Sequence, residues 1–459
     1  VVIITPINDL DSYWHVLIGR QILSRHILDG LGTGWLAETP PPWQTSQWLS
    51  EAMMAVTVGA AGWRGLIALR LLLTASILLV VGLTLLPRRP VPLAALVASV
   101  VMVGISDFAQ DRPQTVSLLF VAALAWACSR RLTGRRPPHP AMVAAACLLW
   151  SQFHPLWVLA PAAYGLMALG AALDGARASH PALREPAVAL VASLAGLVNP
   201  QGLSSFLLPL RFHSSTQQIA EWQPTTFSSL DAFALATVLG LGIVAWARTP
   251  DRVPRAEVLW LCAWTVFGLT AFRNVAPALL LSAPVALAIT DRVWGARASS
   301  WQRPSGSREA TALGVALLLT VIAGTGVAVV KFSRLDPLRD APARHLAERL
   351  AQAPVPVRVF NAYDASGCLA AFGAGRVRLA IDGRADLWGT AYIKKVIDAQ
   401  SLKPGWEGTF DGFHPDAAVL TRNTPLAVLL VREGTWREVA EDGDYVLLLP
   451  ATSTAGGAR

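Results

Sequence analysis

Charge is what this sequence most lacks. Of its 459 residues, 15% are Asp, Glu, Lys or Arg while 53% are hydrophobic, and the mean hydropathy is +0.46. A soluble domain of this length needs far more charge to cover its surface, so a soluble globular fold is excluded. Cysteine is scarce as well. Cys128, Cys147 and Cys262 fall in apolar segments and Cys368 stands alone in the polar C-terminal region, leaving neither a disulfide framework nor a metal-type spacing. No internal repeat is visible, and no low-complexity stretch beyond the tail 451–459. Ionisable residues are nearly missing from the apolar segments, Arg70 apart. Both absences count against a transporter, which places polar groups near mid-span and often shows repeated halves.

What is present is a series of apolar runs. A bilayer-crossing helix needs roughly 20 apolar residues, fewer where it is shielded in a bundle. The expected spans are 66–86, 91–104, 113–129, 139–150, 155–173, 186–198, 230–248, 257–270, 275–290 and 309–330. The start, Val1-Val2-Ile3-Ile4, reads as the stub of a further span rather than a cleaved signal peptide, because no complete apolar core precedes it. The loops fix the orientation. The set 87–90, 130–138, 174–185, 248–256 and 291–308 holds 15 arginines in 52 residues, and the alternate set 5–65, 105–112, 151–154, 199–229 and 271–274 holds six in 108. The arginine-rich set is therefore expected to be cytoplasmic. The net charge of +8 is then a topology signal and not a nucleic-acid signal.

The chain is expected to divide into a transmembrane domain, 1–331, and a soluble extracytoplasmic α/β domain, 332–459. The first includes an outward loop with an interfacial helix at 5–65. In the second, an amphipathic stretch at 341–352 precedes strand-like runs at 357–363 and 376–381, helical patterns at 390–400 and 425–433, and a strand at 445–450.

The outward loops collect the residues able to do chemistry. Ionisable groups at membrane depth or its edge are costly and usually line a cavity or pathway. Asp9 and Asp11, two apart, suit a base that takes a proton from an acceptor hydroxyl, with its neighbour orienting that hydroxyl or holding a divalent cation. Asp11 equally suits the cap of a helix starting at Ser12. His15 lies on the same helical face as Asp11 and also reads as a satisfied interfacial histidine. Arg112 and Arg273 suit bidentate grips on a phosphate, or snorkelling to lipid headgroups. His154, Glu221 and Asn199 complete the candidate substrate-binding set. Glu51, His26 and Arg211 read as ordinary solvated polar residues. Trp14, Trp35, Trp43, Trp48 and Trp63 read mostly as an interfacial belt. A divalent cation is permitted by Asp9 and Asp11 but no further ligand stands at tight spacing, so none is required. Asp382-Gly383-Arg384-Ala385-Asp386 suits either a ligand at the end of a strand or a turn held by an Asp–Arg pair.

Several stretches carry a resemblance: NDLDSYWHVLIGRQIL from Asn8, WQTSQWLSEAM from Trp43, DRPQTVSLLF from Asp111, WSQFHPLW from Trp150, VNPQGL from Val198, AEWQPT from Ala220, VFNAYDASGCL from Val359 and AIDGRADLWG from Ala380. From Asn8 to about Leu449 the chain resembles the polyprenyl-phosphate-sugar-dependent glycosyltransferases of the GT-C superfamily, and closest a group of bacterial membrane proteins of that type. The resemblance implies a multi-pass plasma-membrane enzyme of the cell envelope that moves a sugar from a polyprenyl-phosphate donor to an extracytoplasmic acceptor. It places the superfamily's catalytic aspartate at Asp9 or Asp11. The implied partners are that lipid-linked sugar, membrane lipids and an acceptor of unspecified kind. The tail domain differs from that of the best-known members. Alternatives from other classes are a membrane transporter and a non-catalytic scaffold or glycan-binding protein.

Overall fold

The computed structural model describes residues 4–38, 40, 43–85, 91–132, 135–177, 179–212, 220–248, 254–298 and 328–451. Its contacts separate two compact units. The first takes Val1–Thr5, Ile67–Phe206 and Ala220–Asp336, and the second takes Pro6–Leu66, Leu207–Ile219 and Pro337–Arg459. The 6–66 stretch, placed with the membrane domain by the sequence boundary at 331/332, thus folds in one unit with the C-terminal residues.

The first unit is a helical bundle. It contains the latter part of α2 (Trp48–Leu85), then α3 (Val91–Gly104), α4 (Pro113–Leu132), α5 (Pro140–Phe153), α6 (Leu159–Leu173), α7 (Pro181–Ser193), α9 (Leu230–Trp246), α10 (Arg255–Thr270) and α11 (Val275–Ala298). Between α7 and α9 lies α8 (Leu203–Phe212), a short helix that the apolar pattern had not separated from its loop. The helices Trp48–Leu85, Pro155–Leu173 and Phe272–Trp294 are each long and apolar enough to cross a membrane alone. At 14 residues, α3 and α5 are roughly 21 Å long, short of the ~30 Å hydrocarbon core. Each is continued by a 3₁₀ turn, Ser106–Phe108 and Pro155–Val158. The expected span 309–330 lies outside the described residues except for its last three.

A helix apolar on every face belongs inside a bundle, and α11 is the case here: residues 275–287 are all buried. It packs against α3, α4, α9 and α10. Small residues set the spacing. A Cβ on Gly104 would stand 2.4 Å from Leu279 and 2.7 Å from Ala234, and one on Gly268 would stand 2.9 Å from Ala278, so both glycines permit close helix approach. The opposite faces carry exposed Leu72, Leu79, Leu96, Val191 and Phe233, the surface expected of helices that meet lipid. This is a polytopic α-helical membrane fold with a small mixed-sheet domain at its C-terminal end.

Three helices begin in the same way. His139, His154 and His180 each precede a proline, and each Nδ1 accepts an N–H two residues on: Ala141 at 3.2 Å, Leu156 at 3.2 Å and Ala182 at 3.1 Å. Proline at the first helical position needs no donor there, and the histidine satisfies the next one.

The second unit contains α1 (Ser12–Arg25), the first part of α2, and the C-terminal elements. These are α12 (Arg344–Leu350), β1 (Val357–Asn361), α13 (Ser366–Phe372), β2 (Val377–Leu379), α14 (Ala385–Gln400), α15 (Trp406–Phe413), β3 (Ala417–Thr421), α16 (Pro425–Arg432), β4 (Trp436–Asp442) and β5 (Tyr445–Pro450). The sheet order is β2-β1-β3-β5-β4. β1 is parallel to β2 and β3, and β5 is antiparallel to β3 and β4. The exposed side of β2 is covered by a parallel bridge from Leu36 to Leu379 and by Ala37 N–H donating to Leu379 O at 3.0 Å, one way to blunt a sheet edge.

Two expectations about the first loop are corrected by burial. Trp14, Trp35 and Trp43 are 5%, 5% and 9% exposed and form one core with Ile18, Leu346, Val359 and Leu379. They are packing residues and not an interfacial belt. Glu51 is not solvated either. Fully buried, it receives His15 Nδ1 at 3.1 Å and the Thr45 hydroxyl at 2.7 Å, and Gly19 lets α1 lie against the Glu51 backbone.

Candidate functional site

In the helical bundle, the sequence between α8 and α9 is clipped to the end of α10. Thr225 N–H donates to Leu269 O at 3.2 Å, its hydroxyl to Gly268 O at 2.6 Å, and Phe272 N–H to Gln223 O at 2.9 Å. The extended backbone of Ala271, φ −157°, ends α10, and a three-residue turn, Phe272–Asn274, leads into α11. Phe272 packs on Phe108 with ring centroids 5.2 Å apart, tying this corner to the α3–α4 loop. These contacts bring Arg112, Gln114, Glu221, Trp222 and Arg273 together at one end of the bundle.

The geometry is a bridge. Arg112 Nη1 donates to Glu221 Oε2 at 2.8 Å, and Arg273 Nη1 lies 3.5 Å from Glu221 Oε1. Arg273 Nη2 donates to Gln114 Oε1 at 3.1 Å, Gln114 Nε2 donates back to Arg273 O at 3.4 Å, and the guanidinium rests 4.3 Å over the Trp222 ring. Burial pushes the Glu221 carboxyl pKa up, but Arg273 and then Arg112 outweigh it and hold it below the ordinary range. Two guanidiniums thus meet the Glu221 carboxylate. The side chains are 17% (Arg112), 19% (Arg273) and 34% (Glu221) exposed, open enough to meet a ligand and sheltered enough for their charge to matter. A planar guanidinium can receive phosphate oxygens bidentately.

Three of the expected binding residues are therefore neighbours: Arg112, Glu221 and Arg273. Gln114 and Trp222 join them without having been given a role by the sequence. Their signal was adjacency, since each stands within two residues of a charged candidate. The other candidates do local work. The His154 ring caps the turn at Pro155. Asn199 Nδ2 donates to Gly196 O at 2.7 Å and Ser205 Oγ at 2.8 Å, and its Oδ1 accepts from Gln201 N–H at 2.9 Å, so it closes the turn before α8. His15 is held by buried Glu51.

In the second unit, Asp9 is 4% exposed. Its Oδ1 accepts the Asp11 N–H at 3.1 Å, and its carbonyl accepts from Ser12 N–H at 3.2 Å, an Asx-type turn into α1. Asp11 occupies the N-cap position yet makes no side-chain cap bond. Its Oδ1 instead accepts from Trp14 Nε1 at 2.9 Å. A Cβ on Gly383 would stand 2.4 Å from that oxygen, so the glycine of the DGRAD motif leaves room for this carboxylate. Among the described residues no three His, Cys, Asp or Glu side chains form a metal site, and one oxygen of each aspartate is already engaged.

The DGRAD motif forms the expected Asp–Arg turn. Arg384 Nη2 lies 2.6 Å from Asp382 Oδ2, with both side chains fully buried. Its guanidinium also donates to Leu31 O at 2.8 Å and Gly32 O at 2.9 Å and lies 4.8 Å over Trp43 and 5.4 Å over Trp35. Trp35 Nε1 and Trp388 Nε1 donate to Asp382, and Trp43 Nε1 to Asp386.

No family model matches the chain, and no curated sequence matches it. Solved structures do. The apo crystal structure of ArnT from Cupriavidus metallidurans matches over 99% of this chain and 95% of that one, with a TM-score of 0.51 and 15% identity. The same protein bound to undecaprenyl phosphate matches at TM-score 0.51 and 18% identity, over 99% and 96% of the two chains. The archaeal oligosaccharyltransferase AglB from Archaeoglobus fulgidus, solved with an inhibitory peptide and a dolichol-phosphate, matches at TM-score 0.59 and 11% identity, over 94% of this chain and 69% of that one. At these identities the likeness establishes the fold alone: the chain shares that of ArnT and AglB.

Proposed function

We propose that this chain is a membrane glycosyltransferase that moves a sugar from a polyprenyl-phosphate donor to an acceptor on the extracytoplasmic face of the plasma membrane. The observation that carries the reading is the Arg112–Glu221–Arg273 cluster, a part-exposed pair of guanidiniums sharing one carboxylate at one end of a GT-C fold. Its likeness to proteins solved with undecaprenyl phosphate and dolichol-phosphate supports a lipid phosphate as the anion. In the reaction, an acceptor hydroxyl oxygen attacks the anomeric carbon, the bond from that carbon to the phosphate oxygen breaks, and configuration inverts. Arg273 and Arg112 stabilise the departing polyprenyl phosphate. Asp9 or Asp11 takes the hydroxyl proton. Since a lipid phosphate is already a good leaving group, positioning and electrostatics supply most of the rate. The orientation follows from the arginine bias of the loops, which sets the arginine-poor loops outside.

The test is sugar transfer by the purified full chain from a panel of radiolabelled polyprenyl-phosphate sugars, alongside binding of undecaprenyl phosphate. Arg273→Ala is expected to lower turnover by about 10²–10³-fold, the usual loss of one charge-stabilising donor. Asp9→Asn or Asp11→Asn is expected to lower it by about 10²–10⁴-fold with the melting temperature unchanged. Wild-type and Arg273→Ala proteins that bind undecaprenyl phosphate equally, with no transfer from any donor, would sink the reading.

A further inference from the structure

The arginine-rich end of the same bundle holds a second cationic site. α4 has Arg112 ahead of its first residue and Arg131 in its last turn, roughly 28 Å apart along the helix. Around Arg131, helices α4, α5, α6 and α7 enclose a cavity of about 440 Å³, within the ~300–1,000 Å³ range of small-ligand sites. A wider hollow of about 900 Å³ adjoins it, sharing Arg131, Met167, Ser179 and Pro181.

The mouth and the floor differ in chemistry. At the mouth, Arg131 bridges two helices, donating to Glu185 Oε2 at 2.7 Å and to Pro181 O at 2.6 Å. Arg136 and Arg184 also line the cavity. They are exposed, and neither side chain pairs with any described residue. The N-termini of α5 and α7 open here at Pro140 and Pro181. His139 and His180 accept N–H groups through Nδ1, which leaves Nε2 of each ring at the helix start. Helix N-termini favour anions. Glu185 is the carboxylate that lines this cavity, and Arg131 already engages it.

The floor is apolar. It is formed by Val143, Met167, Val188 and Cys128, with Tyr164 among them. Tyr164 is 7% exposed, and its hydroxyl makes no hydrogen bond to any described residue. It sits nine residues before the end of α6, roughly 13 Å along the helix. Val188, 42% exposed, puts an apolar wall on the outer side of the bundle. A cationic rim over an apolar shaft is complementary to an amphiphile with an anionic head.

We propose that this cavity binds a phosphate-bearing membrane lipid, its phosphate among Arg136, Arg184 and the starts of α5 and α7, and one acyl chain running toward Tyr164. Basic pockets between membrane helices recognise acidic headgroups in this way. The site is independent of the reaction at the other end of α4.

The full chain in non-ionic detergent would be titrated with three probes and read by native mass spectrometry. These are dioleoyl phosphatidylglycerol, dioleoylglycerol (same tails, no phosphate) and glycerol 3-phosphate (same head, no tails). Phosphatidylglycerol is expected to bind at least roughly tenfold more tightly than either fragment. Arg136→Ala with Arg184→Ala is expected to weaken it by roughly 30-fold, and Tyr164→Phe to weaken it less. Both arginines are exposed, so the double variant keeps its lipid-free melting temperature. Arg184→Gln alone gives an intermediate loss. Equal lipid binding by the double variant would make these lipids a non-specific annulus and overturn the site. Glycerol 3-phosphate binding as tightly as the lipid would make it a free-phosphate site, and dioleoylglycerol doing so would make it a plain apolar void. Either result overturns the lipid assignment.

Discussion

Arg273 and Arg384 are built from the same parts and do different things. Each guanidinium lies over tryptophan, at 4.3 Å for Arg273 and 4.8 Å for Arg384, and each meets a carboxylate. Around Arg384 the surroundings are closed: both partners of the ion pair are fully buried, and two further donors go to Leu31 O and Gly32 O. Around Arg273 the carboxylate is shared with Arg112, and all three side chains keep contact with solvent. A sealed pair has no capacity to receive a ligand, and breaking it strands a charge. An open, shared pair can exchange a carboxylate oxygen for a phosphate oxygen at little structural cost. The residue types alone do not separate a clamp from a binding site. The access of water does.

The comparison breaks most visibly at Arg384. Arg384→Met is expected to cost about 3–5 kcal/mol, because Asp382 is left as a buried, uncompensated charge. Limited proteolysis of the 337–451 region against temperature would measure it. Arg273→Met is expected to change stability by about 1 kcal/mol or less. Equal losses would erase the distinction between clamp and site. The tryptophans sharpen it at a smaller scale. Trp43→Phe removes the donor to Asp386 and is expected to cost about 1–3 kcal/mol. Trp222→Phe keeps an aromatic face under Arg273 and is expected to cost under about 1 kcal/mol.

The smallest effect is a pH dependence. Glu221 has a pKa below the ordinary value, so its ion pairs stabilise the fold above the unfolded carboxyl pKa. That contribution is lost as pH falls through the lower, folded value. The melting difference between wild type and Glu221→Gln should therefore be constant above about pH 5 and close at more acid pH. Its size is within about 1 kcal/mol after solvent screening. A difference that grows on acidification would contradict the paired state of Glu221.

The bundle was legible in outline because lipid demands long apolar runs. Val91–Gly104 fell on its expected bounds, and α4, α6 and α9 fell close to theirs. Helix α8 was missed because ten residues in a long loop do not stand out from it. In the C-terminal domain, Tyr445–Pro450 was read to the residue, whereas β3 and β4 were not. β3 is nearly all buried, so it has no alternation to see, and β4 is charged along most of its length. Arg112, Glu221 and Arg273 were each singled out as a charge in a loop next to a span. Their union was not readable, since it depends on hydrogen bonds from Thr225 and Phe272. His154 has a local role that its neighbour suggests: His-Pro opens a helical turn at residues 139, 154 and 180, although His414-Pro415 follows the end of a helix instead. The first-loop tryptophans were assigned to the bilayer surface because composition cannot reveal that residues 337 onward fold over them.

That last feature sets a clock. Leu31 and its donor Arg384 are 353 positions apart in the chain. At ~5–20 residues per second of synthesis, roughly 20–70 s pass between the two. For that interval Trp14, Trp35, Trp43 and the Asp9–Asp11 turn lack the partners that bury and brace them. The acidic loop thus reaches its final form only after Arg384 and its neighbours have been made. A nascent chain stalled before residue 337 would present the aspartates on an unfinished, sticky and degradable segment.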